Sequence, residues 1–313
     1  MYFLHNFYSK SAWDSWLRDG RVGESDRIAT SKVSPQDWRQ MVQFDAVNTF
    51  DELVQRVAFL QLMNKRQVLY FRGEDKLYPT SLPSIFRGAG ELEELQRRWR
   101  VLKAQSVVWR KLFVEGVHPR QRTLAHYPQA LWAIQQHYKD HLRLHGVDAA
   151  ATPLIDLTHS LRVAAHFATS RVTSTEHAYV IVIGLPQTTG SITFNADEQV
   201  QILRLSALCP PKALLPSLQE AYLVGRFPMP DPESGDWNQD YWDGRAEYFS
   251  LRRRTVAIIP IRRSNGSFED FWKGRGFHDA DLSNDPWFES VREQLCLGIQ
   301  NGAHGGGELA RAG

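Results

Sequence analysis

The spacing of apolar residues changes character near residue 150. Before it, Thr49-Phe50-Asp51-Glu52 has capping-box spacing, and Phe50, Leu53, Val54, Val57 and Leu60 recur three and four apart. That periodicity predicts an amphipathic helix from about residue 50 to 64. Val68-Leu69-Tyr70-Phe71 follows as a compact apolar run closed by Arg72-Gly73-Glu74-Asp75, which predicts a buried strand ending at a surface turn. Leu92, Leu95, Trp99, Leu102 and Val108 mark a long helix between residues 90 and 115, and a second helix is expected over about 128–145. Upstream, Ser34-Pro35 with Asp37 combines an N-cap, an N1 proline and an acidic first turn, so a short helix should start there.

After Ala149-Ala150-Ala151-Thr152-Pro153, Leu154-Ile155 has room for a short strand only, and Asp156-Leu157-Thr158-His159-Ser160 is cap chemistry. Leu161, Ala164, Ala165 and Ala168 then form one face of a helix. Strands are predicted over residues 179–185, 191–194, 200–205, 220–224 and 255–261. Helices early and strands late predict an α+β fold rather than an alternating parallel one. A loop rich in Pro, Asp and Trp at 228–243 interrupts the strands. The expected organisation is an N-terminal helical extension over 1–48, one large domain over 49–301 and a loose Gly- and Ala-rich tail over 302–313.

Composition narrows the function classes. With 42% hydrophobic residues in 313, the chain can bury a large core without staples. Its 37 basic and 35 acidic residues nearly cancel to +2, so no global attraction to nucleic acid or membrane is written into it. Cys209 and Cys296 lack the spacing of a disulfide framework or a thiolate zinc site. The first residues lack the pattern of a signal peptide, and no apolar run is long enough to span a bilayer, so a cytoplasmic protein is expected.

Three constellations invite chemistry. His137, His141 and His145 fall at i, i+4 and i+8 on one helical face, where imidazoles can ligate a metal. Lys139 and Arg143 beside them point instead to a solvated face, and no metal is expected. The glycines of 302–307 do not follow a strand, and no G-x-S-x-G elbow is present, so neither a phosphate loop nor a serine hydrolase is indicated. More informative are three separated pieces: Arg72 and Gly73 at a strand end, suited to an anion and to a close ligand approach; hydroxyls and a carboxylate at 156–160; and Glu220 at the start of an internal strand.

In this order the pieces resemble the FRG domain. Phe71-Arg72-Gly73 is its strand end, Thr152-Pro153-Leu154-Ile155-Asp156-Leu157-Thr158 followed by Val163-Ala164-Ala165-His166-Phe167-Ala168 is its second segment, and Gln219-Glu220-Ala221 stands where the family has Gln-Gln-Gly. The resemblance covers about residues 50–261. The pattern is also similar to ADP-ribosyltransferases of the Arg-Ser-Glu type, which implies a split-sheet α+β core with N-terminal and inserted helices, and NAD as substrate. On that resemblance Tyr70, Arg72 and Gly73 line the NAD pocket, Asp156 and Thr158 take the positions of the first and last serines, and Glu220 takes that of the ribose-contacting glutamate. Arg72 and Glu220 would be the catalytic pair, because a fixed carboxylate stabilises positive charge developing on the ribose. The implied function is an ADP-ribosyltransferase with a protein or nucleic-acid acceptor, or an NAD glycohydrolase, acting as a bacterial toxin or antiviral effector. The alternative is a catalytically silent module that binds a nucleotide or a protein partner.

Overall fold

The computed structural model describes residues 7–8, 27–28, 45–63, 67–78, 81–116, 127–170, 175–188, 190–197, 199–210, 212–227, 229, 232–233, 251–273, 275 and 285–309. The helix expected at 34–37 and most of the 228–243 loop, with Trp237, Tyr241 and Trp242, lie outside these residues. In chain order the elements begin with β1 (Phe7–Tyr8), β2 (Arg27–Ile28), α1 (Phe50–Met63), β3 (Val68–Glu74), a 3-10 turn at Ser84–Phe86, α2 (Leu92–Gly116) and α3 (Pro128–Leu144). Next come β4 (Ile155–Thr158), α4 (Leu161–Thr169), β5 (His177–Leu185), β6 (Ile192–Asn195) and β7 (Val200–Arg204). The chain continues through α5 (Leu205–Leu208), α6 (Leu215–Leu218), β8 (Ala221–Arg226), a 3-10 turn at Leu251–Arg254, β9 (Thr255–Arg262), α7 (Glu269–Trp272) and α8 (Pro286–Leu309). Helices mixed with antiparallel strands make this an α+β protein.

Two compact units divide the chain: Met1–Ser81 with Leu157–Gln187 and Leu251–His278, and Leu82–Asp156 with Thr188–Ser250 and Asp279–Gly313. In the first unit β3 pairs antiparallel with β5, and β5 with β9. Both β5 and β9 are near-continuous apolar runs and are buried along almost their whole length. The β3 strand does not stop at Phe71. Arg72, Gly73 and Glu74 stand opposite Ile181, Val180 and Tyr179, so the expected surface turn is replaced by three more ladder positions. Likewise β4 runs through Asp156 to Thr158, and of the expected cap residues Ser160 is the N-cap of α4, its Oγ accepting from the Val163 amide at 3.4 Å. The capping box of α1 forms as expected: Thr49 Oγ1 accepts from the Glu52 amide at 3.2 Å, and Glu52 Oε2 accepts from the Asn48 amide at 2.8 Å.

The second unit is built on α2, α3 and α8, with β6, β7 and β8 pairing antiparallel in sequence order. Trp99 and Trp132 meet edge to face at 5.4 Å, and Tyr138 stacks on Phe288 at 5.0 Å with an interplanar angle of 7°. The backbone of α8 stays helical past Gly302, where a loose tail was expected, and ends at Leu309.

Candidate functional site

The first unit holds Tyr70, Arg72, Gly73 and Thr158; the second holds Asp156 and Glu220. On β3, side chains alternate between faces, so Tyr70, Arg72 and Glu74 share one face and Phe71 and Gly73 the other. Glu74 is 7% exposed, and a carboxylate so buried needs a charged or hydrogen-bonding partner. Arg72 supplies one: its Nε donates to Glu74 Oε1 at 2.9 Å, which also anchors the half-buried guanidinium. Tyr70 is fully buried and its ring lies against that of His159, with centroids 4.2 Å apart. Thr158 stands opposite Phe71 across the β3–β4 pair, and its Oγ1 accepts from the Ser160 amide at 2.9 Å.

Gly73 has a different physical reason from the one its sequence context suggests. A Cβ there would lie 1.9 Å from the Ala164 carbonyl oxygen and 2.6 Å from the Ala168 amide nitrogen. The missing side chain lets α4 press onto β3, and a ligand approaching from that face would meet the helix. Close strand–helix packing is legible in the alanine face of α4, Ala164, Ala165 and Ala168, once it is known which strand it meets. A cleft of about 390 Å3 opens elsewhere in this unit, lined by Gln61, Gln67, Val68, Leu69, Phe71 and His159. Phe71 contributes to it; Tyr70, Arg72, Gly73 and Thr158 do not line it.

In the second unit Asp156 is half-buried, and its Oδ2 accepts from Gln136 Nε2 at 2.6 Å. Gln136 Oε1 in turn accepts from Thr152 Oγ1 at 2.6 Å, and the Thr152 amide donates to Ser84 Oγ at 2.9 Å. Sequence reading placed Thr152 and Asp156 in the resemblance but missed Gln136, because nothing in the 3.6-residue pattern of α3 tells a buried glutamine from a surface one. Glu220 is exposed and precedes β8 rather than starting it, with φ of 44°, in the left-handed region, and its amide donates to the Ser217 carbonyl at 3.1 Å.

The histidine face of α3 is not a solvated one. His137 and His141 are half-buried, and their rings meet Tyr138 edge-on at 4.9 Å and Phe288 at 5.2 Å, respectively; His145 lies past the helix end and is exposed. Among the described residues His137 Nε2 and His141 Nδ1 are buried without a hydrogen-bond partner, and no group of three or more His, Cys, Asp or Glu is arranged to hold a metal ion. Burial holds the His137 imidazole down to about 4, the nearby carboxylates of Asp156 and Asp285 opposing it. Asp285, 2% exposed, is the principal polar residue that sequence reading missed. Its Oδ2 accepts from Tyr138 Oη at 2.7 Å and the Leu215 amide at 3.2 Å, and its Oδ1 accepts from the amides of Trp287 at 3.0 Å and Phe288 at 3.2 Å. Asp285-Pro286 was the available signal, since an aspartate before a proline is an N-cap pattern. Burial and Asp285 together push the Tyr138 phenol up.

Residues 67–177 match the family model of the FRG domain. That stretch contains Phe71-Arg72-Gly73 and the segments at 152–158 and 163–168, is narrower than the 50–261 suggested by the sequence pattern, and ends before Glu220. Comparison with curated proteins gave no match, and comparison with solved structures gave none. No helix among the described residues is long and apolar enough to cross a membrane.

Proposed function

We propose that the chain is an NAD-consuming enzyme, either transferring ADP-ribose to a protein or nucleic-acid acceptor or hydrolysing NAD. The observation that carries this reading is the half-buried Arg72 guanidinium, anchored through Nε by Glu74 on a strand whose next-door position faces Thr158. Such a group, held rigid before a ligand arrives, suits a diphosphate, because its planar fork matches phosphate oxygens. In the reaction the bond from ribose C1′ to the nicotinamide nitrogen breaks, and its electron pair leaves with nicotinamide. C1′ then bonds to water or to the acceptor's nucleophilic atom, whose displaced proton passes to solvent. Arg72 would hold the phosphates; on the resemblance alone, Asp156 and Thr158 would brace the ribose and the Glu220 carboxylate would stabilise positive charge at C1′.

A second reading, binding without turnover, is favoured by the exposure of Glu220, since a solvated carboxylate stabilises developing charge less than a sequestered one. Both are tested by mixing purified chain with NAD and following nicotinamide release. Release is expected, reduced about 100-fold or more in Glu220→Gln and in Arg72→Ala. NAD binding without release supports the silent module, and neither binding nor release, with protein and nucleic-acid acceptors present, overturns both.

A further inference from the structure

Helix α3 carries two consecutive buried glutamines that serve different purposes. Gln135 Nε2 donates to Gln105 Oε1 at 2.8 Å, the same oxygen accepts from the Ala150 amide at 2.8 Å, and Gln105 Nε2 donates to the Asp148 carbonyl at 2.9 Å. That set ends on backbone and ties down the segment after α3. Gln136 instead stands between two side chains, Thr152 and Asp156, at 2.6 Å from each. Thr152 is itself fixed: it is fully buried, its amide donates to Ser84 Oγ at 2.9 Å, and its carbonyl accepts from the Ile85 amide at 3.1 Å.

The direction of every hydrogen bond in this chain follows from its end. An Asp156 carboxylate can only accept, so the Gln136 amide must turn Nε2 toward it; Oε1 then faces Thr152, whose hydroxyl must donate. Reversing any one member leaves two donors or two acceptors face to face in a buried place, which costs about 1–3 kcal/mol. A half-buried carboxylate gripped in this way has its Oδ2 turned toward α3.

We propose that Gln136 is a positioning residue for Asp156, setting the direction in which its carboxylate meets a hydrogen-bond donor of the ligand, a ribose hydroxyl or an amide N–H. The ligand class rests on the NAD reading above; the positioning does not. Ser84 and Thr152 act one step further back, by fixing the oxygen that orients the Gln136 amide.

The test combines NAD titration by calorimetry with thermal unfolding, both between about pH 5 and 8, on the full chain carrying Q136M, Q136E, Q136E/D156N or Q135M. Q136M is expected to weaken NAD binding about tenfold, as for a lost hydrogen bond to a charged group. Q135M removes a buried amide from the same helix and should change NAD affinity less than about twofold, its partners being separate. Q136E sets two carboxyl groups where a donor met an acceptor, so they must share a proton. Its unfolding midpoint should fall as pH rises from about 5, and Q136E/D156N, in which an amide again faces a carboxylate, should remove that slope. Equal effects of Q136M and Q135M on NAD affinity, or a Q136E midpoint indifferent to pH, overturn the proposal. If wild-type chain binds no NAD while the slope and its rescue are present, the NAD reading falls and the positioning stands.

Discussion

The end of β3 and the buried end of α3 handle polarity in opposite ways. At β3, the Gly73 end is closed by α4, with backbone atoms of Ala164 and Ala168 against Gly73, while on the other face of the strand the half-buried Arg72 guanidinium pairs with the buried Glu74 carboxylate. At α3, polar groups run through the interior: Gln135, Gln136, Tyr138 and, beyond the helix, Asp285 are all buried and hydrogen-bonded. The first arrangement fixes one half-buried guanidinium against a carboxylate. The second joins polar groups to one another, which specifies one packing of helices and loops.

Three substitutions or conditions would break or sharpen that contrast. The largest effect is expected from Gly73→Ala, because the added methyl meets backbone atoms of α4 that cannot step aside. We expect a loss of about 5 kcal/mol or more, read as insoluble protein or as a collapsed urea midpoint. A midpoint within about 1 kcal/mol of wild type would mean that α4 does not seal β3 and that this face is open to ligands.

Asp285→Ala should follow, at about 3–5 kcal/mol by urea unfolding, since it strips the N-cap of α8 and orphans the Tyr138 hydroxyl together. Asp285→Asn, which keeps the size and one acceptor, should lose less. If the two variants unfold alike, the size and single acceptor that Asn keeps contribute little, and the stabilisation lies in the charge and second acceptor of the carboxylate.

The smallest of the three is a pH effect from His137. Burial keeps its imidazole neutral down to about 4 in the folded chain, whereas an unfolded histidine takes up its proton near 6.5. As pH falls through that window the unfolded state binds the proton first, so stability present above about 6.5 declines until about 4 and then levels. The loss should be on the order of 3 kcal/mol, and His137→Phe should flatten that part of the curve measured by urea unfolding against pH. A curve unchanged by His137→Phe would show that the imidazole is solvated after all.

Local chemistry carried much of the fold. The capping box at Thr49, the proline opening α3, the serine before α4 and the unbroken apolar runs of β5 and β9 each depend on residues within one turn or one strand, and each element formed where it was expected. Element lengths were less legible. The β3 strand runs on through Arg72, Gly73 and Glu74 because β5 offers a ladder partner for each, and a partner more than 100 residues away along the chain leaves no local mark.

By itself, then, the sequence determined the α+β class, the positions of the periodic helices and strands, and the FRG resemblance that the family match supports over residues 67–177. Tertiary structure alone decided what its marked residues do. Gly73 makes room for a helix, Glu74 holds Arg72, Gln136 grips Asp156, and His137 is half-buried instead of solvated. The physical reason is common to all four: periodicity and capping are energies of neighbouring residues, whereas burial and hydrogen-bond polarity depend on which distant segment arrives opposite.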